Sequence, residues 1–403
     1  MPSAKAAGSS GQYLTFAACI ALCAPAPLSG LAQAGLAPVL PQITAHFAGD
    51  PNAGMLVRAM VSGLSGAMIL GAVSAGYLAG RVGQLRLMML SLVVFAAAGA
   101  AGFILDNLYL IVASRIVLGV VNAIAGVMAM AMLTTRVAPA GRERWMGFYI
   151  LGSTGGSVLA VILVGWVAVF SWRYAFLPYL IALPAALFIA AAFPPKQDKP
   201  AAVPGAAAGK PGLAWGTIGF GILFGATSSA AGMYVPFHLA AAGLGDPRVL
   251  AGVFVASAFV GALASFAFGW VRLRLSVMQV FVVALLLNAV AMFVVAAAPS
   301  LLGAQLGMGI SGAGIGLLAP NFFAAIAASA PPERRVQILG QSRGAYYAGP
   351  LVAQPVLELV LIRQGSVAAV AGIGVIALAG VVLALMFRGV FAPFDEAQIP
   401  AAS

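Results

Sequence analysis

The chain is written as long apolar runs separated by short polar breaks, and those runs set its architecture. Most are roughly 20 to 28 residues long, enough for a helix to cross the ~30 Å apolar core of a bilayer. Twelve spans are predicted, near residues 13–41, 56–80, 85–105, 108–133, 144–170, 174–194, 214–241, 249–271, 275–298, 300–328, 335–362 and 366–390. The runs lack the strict alternation of membrane strands. The spans are therefore read as helices and the fold as an all-α membrane protein.

Composition and charge give this pattern a direction. Only 7% of residues are charged, against 63% hydrophobic, and the mean hydropathy is +1.07. With both termini placed inside, fifteen of the 20 basic residues fall on the cytoplasmic side. Arg58, Arg173, Arg248 and Arg363 fall outside, and Arg115 lies within the fourth span. That bias follows the positive-inside rule and predicts a multi-pass protein of a bacterial inner (cytoplasmic) membrane, with both termini cytoplasmic. Ala32-Gln33-Ala34 imitates a signal cleavage site, but the apolar run before it is long and reads as an uncleaved first span.

The net charge of +11 does not point to nucleic acid. The basic residues stand in ones, twos and threes at the ends of apolar segments, with no stripe interleaved with aromatics. Cys19 and Cys23 share a helical face without a histidine or acid beside them, so no metal site is read there. The sequence has no Gly-x4-Gly-Lys-Ser/Thr phosphate loop. Its two histidines, His46 and His238, leave little material for acid–base catalysis. No cofactor, metal or enzymatic activity is expected.

Pro194-Pro195-Lys196-Gln197-Asp198-Lys199-Pro200 opens a proline- and alanine-rich stretch over 194–212 that reads as a cytoplasmic linker. It divides an N-terminal six-helix bundle (1–193) from a C-terminal six-helix bundle with a short tail (213–403). The halves carry a weak repeat. Ala138-Pro139, Arg142-Glu143-Arg144 and Gly155-Gly156 recur as Ala330-Pro331, Glu333-Arg334-Arg335 and Gly349-Pro350, and Gly119 and Gly126 recur as Gly309 and Gly316. The offset is about 190 to 193 residues throughout, as for two tandem halves of one topology, an arrangement by which transporters place a site between rocking bundles.

Between spans two and three, Gly76-Tyr77-Leu78-Ala79-Gly80-Arg81-Val82-Gly83-Gln84-Leu85-Arg86 resembles the Gly-x-Leu-Ala-Asp-Arg-x-Gly-Arg-Lys/Arg signature of the major facilitator superfamily. Gly80 stands at the acidic position, and Gln84 and Leu85 replace the basic pair, with Arg86 just beyond. Arg115-Ile116-Val117-Leu118-Gly119 resembles the family's Arg-x-x-x-Gly pattern. Gly147, Gly152, Gly155 and Gly156 partly match the fifth-span motif of its drug–proton antiporters, with Gly152 at the motif's proline. Trp172-Arg173-Tyr174-Ala175-Phe176 resembles the Trp-Arg-x-x-Phe signature of exporter-like members. The resemblance implies the major facilitator fold, twelve helices in two pseudo-symmetric six-helix bundles. It also implies a gating latch at Gly76, Arg81, Gly83 and Arg86, weakened by the missing aspartate, and a pore lined by spans one, four, seven and ten.

An arginine within an apolar helix costs several kcal/mol unless it meets a cavity or a partner, which makes Arg115 a candidate substrate-binding residue. Gln33, Asn122, Thr227, Ser228, Tyr234, His238, Gln305 and Asn321 supply polar groups on the implied pore-lining spans. Glu358, late in the eleventh span, is the acid placed within a helix and the candidate proton-coupling residue. An interfacial pair with Arg363, five residues on, is the other reading of it. The first half has no deeply placed acid, which argues against a cationic substrate and for an anionic or neutral amphipathic one. The expectation is a monomeric, proton-coupled secondary transporter exporting a small amphipathic compound. Uptake of a small metabolite or organic anion is the alternative within transport. A helical scaffold or receptor would need neither the repeat nor the intramembrane arginine.

Overall fold

The computed structural model describes residues 15–137, 139–193, 215–298, 300–329 and 335–390. All regular structure among them is helical. In the first half the spans run Phe16–His46, Ala53–Val82, Gln84–Ile104, Leu108–Arg136, Pro139–Val167 and Trp172–Ala192. In the second they run Trp215–Ala241, Pro247–Arg272, Val277–Ala297 and Leu301–Ser329, followed by one long helix, Arg335–Met386. Gly365, at φ 87° and ψ −179°, divides that helix into an eleventh and a twelfth span. Glycine lacks the Cβ that clashes at positive φ. The eleven apolar, membrane-length helices among the described residues thus make twelve crossings. The linker predicted over 194–212 lies outside the described residues.

Local sequence explains where the helices start, break and stop. Asn107 caps the fourth span by accepting from the amides of Tyr109 and Leu110 at 2.9 and 3.2 Å, and Asp246 caps the eighth by accepting from Arg248 N at 2.7 Å. Ser276 and Gln279 form a reciprocal capping box at the ninth. The first span is less regular than predicted. Pro25, Pro38 and Pro41 cut it into Phe16–Cys23, Pro25–Ala34, a short 3-10 turn and Leu40–His46, because proline removes a backbone donor and crowds the preceding turn. It ends at His46 rather than near 41. The sixth span opens as a 3-10 helix, Trp172–Ile181, with Pro178 inside it.

The two halves pack in the same order. The first span lies on the fifth, the second on the fourth, and the third on the fourth and sixth. In the second half the seventh lies on the eleventh, the eighth on the tenth, and the ninth on the tenth and twelfth. Small residues make these crossings close, as is usual between membrane helices. A Cβ on Gly156 would strike Pro27, and one on Gly349 would strike the backbone of Gly225 and Ala226. These two contacts sit at matching crossings of the repeat. The loops alternate between two ends of the bundle, here termed the Gly83 end and the Asp106 end after residues in their turns.

Candidate functional site

The halves meet along two seams toward the Asp106 end. In the first, the second span runs antiparallel to the eleventh. Positions 58, 62 and 66 lie on one face of a helix and meet 358, 354 and 351 in turn. Arg58 Nε donates to Glu358 Oε2 at 2.7 Å, and its Nη2 pairs with Oε1. Ser62 donates to Gln354 Oε1, and Gly66 lies against Leu351. Arg58 is 6% exposed and Glu358 is 8% exposed. The two halves are therefore joined by a buried, bidentate ion pair, the strongest geometry a guanidinium and a carboxylate adopt.

Aromatic side chains enclose this pair. The Arg58 Cζ lies 5.8 Å from the Tyr234 ring centroid and 5.0 Å from that of Phe237, both on the seventh span. The Tyr234 hydroxyl donates to the Gln354 carbonyl at 3.3 Å and lies 3.5 Å from Glu358 Oε2. Two expectations are refined here. Arg58, counted with the outer charges at the edge of the span predicted over 56–80, lies deeper, because the helix begins at Ala53 and carries Arg58 into its second turn. Glu358 takes Arg58 as its partner, and Arg363 is exposed.

The second seam joins the fifth span to the eighth. Gly165 lies against Pro247 and Ala251, and the Arg248 Cζ lies 5.0 Å over the Trp166 ring. Arg248 is the repeat counterpart of Arg58, at the same 190-residue offset that relates Gly119 to Gly309. The same position is thus used twice, once with a carboxylate and once with an indole.

The other predicted residues fall into three groups. Arg115 is buried and points toward the third and sixth spans of its own bundle. Its Nη2 donates to the Gly99 carbonyl at 2.8 Å, and its Cζ lies 4.8 and 4.6 Å from the Phe176 and Tyr179 rings. Its Nε and Nη1 have no acceptor among the described residues. His238, on the seventh span, also turns into its own bundle, toward the ninth and twelfth spans, with Nε2 3.1 Å from the Val295 carbonyl and Nδ1 3.3 Å from Ser366 Oγ. Asn321 donates to the Val277 carbonyl at 2.9 Å. Thr227 bonds back to its own helix at Leu223 and Phe224, the common fate of a membrane hydroxyl.

A second group gathers between the first and fourth spans. Gln33 Nε2 reaches Ser29 at 3.1 Å, and Asn122 Nδ2 reaches the same Ser29 Oγ at 3.3 Å. Ser228 has a buried hydroxyl without a partner among the described residues, and Gln305 is half-buried near the start of the tenth span. The third group is the turn at the Gly83 end. Gly83 takes φ 93° between two helices. Arg81 is exposed and stacks on Tyr77 of its own helix, 4.4 Å from the centroid. Arg86 is exposed and Gly76 half-buried.

The Trp172-Arg173-x-x-Phe176 segment has a clear structural use. Arg173 pairs with Asp106 and donates to the Phe103 and Leu105 carbonyls at the end of the third span. Phe176 packs under Arg115. A groove of about 480 Å³ lined by Val167, Phe170, Tyr174, Leu177 and Pro178 contains none of the predicted substrate- or proton-binding residues. Sequence reasoning missed Arg58, Ser62, Gln354, Phe237 and the Trp166–Arg248 stack. The repeat held a signal for the arginines, which recur at its offset.

The sequence matches the Major Facilitator Superfamily over residues 26–301. No curated protein matches it by sequence. Among solved structures, it resembles a D-xylose-proton symporter, with a TM-score of 0.78 at 15% identity over 96% of this chain and 99% of that one. It also resembles the inward-open xylose transporter XylE from E. coli, with a TM-score of 0.71 at 16% identity over 92% and 95% of the two chains. A POT family transporter in complex with a thioalcohol-conjugated peptide gives a TM-score of 0.74 at 11% identity over 93% and 96%. At these identities the likeness is one of fold. The fold and the seams between its halves define a secondary transporter working by alternating access. The chain belongs to the major facilitator superfamily.

Proposed function

We propose that this chain is a proton-coupled transporter of a small solute, in which the Arg58–Glu358 pair is the proton-sensitive gate at the Asp106 end. The observation that carries the reading is that this acid, buried between the halves, spends its charge on an arginine of the other half. Protonating Glu358 removes one of the two charges and with it the tie across the seam. Removing one partner of a buried pair costs about 3–5 kcal/mol, enough to reverse the balance between two states of a rocking transporter.

The excess of Lys and Arg toward the Gly83 end supports placing that end, and both termini, in the cytoplasm. The membrane is then the bacterial inner membrane, and the Asp106 end faces outward. Contact of the halves at that end fits a state closed to the outside. A proton arriving from outside would open it, which supports inward proton symport, the coupling named for the xylose relative. Export of an amphipathic compound is the second reading, favoured by the exporter-like motifs at Gly147–Gly156 and Trp172–Phe176. We take the working unit as a monomer, since the seams lie within one chain.

The test places one spin label on each half at the Asp106 end of the chain in lipid nanodiscs. Acid should lengthen the label distance in the wild type, and Glu358→Gln should hold the long distance at neutral pH. A Glu358→Gln distance equal to the wild type's and still moving with pH would exclude this gate. Direction is read separately, from solute accumulation or expulsion in cells expressing the chain.

A further inference from the structure

We propose that the second seam carries a seat for an anionic phospholipid, with the phosphate on Arg248 and an acyl chain in the groove beside Trp166. The bound lipid braces the halves together at the Asp106 end. This seat is independent of the proton gate, since it uses the fifth, sixth and eighth spans and no residue of the first seam.

Arg248 is a cation left without an acid. It is exposed in the first turn of the eighth span. Its side chain makes no ion pair with a described residue, and the Trp166 ring covers only one face of its guanidinium. Asp246, two positions earlier, spends its Oδ1 on the Arg248 amide. Arg173, the other arginine near the groove, is by contrast held by Asp106. The N–H edge of Arg248 is thus open to an oxyanion, and a planar fork of donors takes phosphate oxygens in pairs.

Beside this cation lies an apolar hollow. Val167 follows Trp166 and opens the groove of about 480 Å³, whose other walls are Phe170, Tyr174, Leu177 and Pro178. Trp166, Phe170 and Tyr174 are exposed where the fifth span gives way to the sixth, as in the aromatic belts that mark the level of lipid headgroups. Positions 159, 163 and 166 share one face of the fifth span. The exposed Leu159 and Leu163 therefore continue an apolar track from the groove toward the membrane centre. The charge takes the phosphate and the track takes the chain. A zwitterionic lipid brings a cation of its own beside its phosphate, which Arg248 repels.

The seat spans both halves. Arg248 belongs to the second and the groove to the first. Gly165 lies against Pro247 and Ala251 at the same level, so phosphate site and groove are neighbours only while this seam is shut. A ligand that binds one of two states shifts the balance toward that state. Occupancy therefore favours the state closed at the Asp106 end, and opening releases the lipid.

The test places the purified full chain in nanodiscs of phosphatidylglycerol or of phosphatidylcholine with matched acyl chains. Retained lipid is read by native mass spectrometry after transfer to detergent. The wild type should keep phosphatidylglycerol about fivefold over phosphatidylcholine, the preference that one basic residue gives near anionic lipid. Arg248→Gln should erase that preference and Arg248→Lys should keep part of it. Arg363→Gln, at an exposed arginine of the eleventh span, should leave it intact. Val167→Trp, which fills the groove, should lower retention of both lipids. Spin labels, one on each half at the Asp106 end, report the brace. In phosphatidylglycerol, Arg248→Gln should lengthen the label distance, at constant surface acidity, by more than it does in phosphatidylcholine, where only the contact with Trp166 is lost. Equal retention of the two lipids, a preference that survives Arg248→Gln, or retention that survives Val167→Trp would overturn the lipid seat. So would inorganic phosphate that protects the phosphatidylcholine sample against heat as well as phosphatidylglycerol does, since Arg248 then takes a soluble anion. Equal lengthening in the two lipids would overturn the brace.

Discussion

Arg58 and Arg248 stand 190 residues apart at corresponding positions of the repeat, on the second and eighth spans, yet one faces the carboxylate of Glu358 and the other the ring of Trp166. The repeat therefore supplies two contacts between the halves, of one placement and two chemistries. The ion pair is lost when its acid is protonated. The cation–π contact keeps its strength across the same pH range, because neither arginine nor indole titrates there.

The first prediction separates the worth of the pair from the cost of breaking it. Arg58→Met and Glu358→Leu should each lower the thermal stability of the detergent-solubilised protein by about 3–5 kcal/mol, since each leaves a buried charge alone. The double variant should recover most of that loss. Additive losses would mean the two side chains are not coupled.

The second concerns the other seam. Trp166→Ala should favour the state open at the Asp106 end by about 0.5–2 kcal/mol at every pH, leaving the pH response of the label distance unchanged in shape. A flattened pH response would tie Trp166 to the titrating latch instead.

Packing at the matched crossings gives the third. Gly156→Leu and Gly349→Leu should each cost more than the usual 1–3 kcal/mol of overpacking, because the added atoms meet the Pro27 region and the Gly225–Ala226 backbone. Gly147→Leu should be tolerated, as nothing lies within 4 Å of its added Cβ. Thermal unfolding of the three variants checks the order.

The fourth bears on Arg115. Arg115→Met keeps the bulk between Phe176 and Tyr179 and removes two donors that have no acceptor among the described residues. It should leave stability unchanged or raise it. Arg115→Ala should lower it by about 2–5 kcal/mol through the cavity it leaves. Equal losses would show that the charge itself is required.

The spans were legible because length and apolarity suffice to define a membrane helix, and the repeat was legible because glycines mark close crossings. The latch was not. Arg58 sits six positions into its helix, and a reading that starts the span at 56 puts it at the outer edge, where a charge needs no partner. Its partner lies 300 residues away, a distance no local pattern bridges. Arg115 and His238 were expected to line the pore, and in the structure both are buried and bonded within their own bundles; sequence does not tell a helix face turned toward the seam from one turned into its own bundle. Gln33 and Asn122 were placed on different spans, and the structure brings both to Ser29.

The two helices that carry the first latch are also the two that end in a one-residue glycine turn. The second passes through Gly83 directly into the third, and the eleventh through Gly365 directly into the twelfth. Each joint is one residue long, so on the proposed gate a displacement of either helix at the rim would pass to its neighbour across a single glycine and tow the peripheral helices with it.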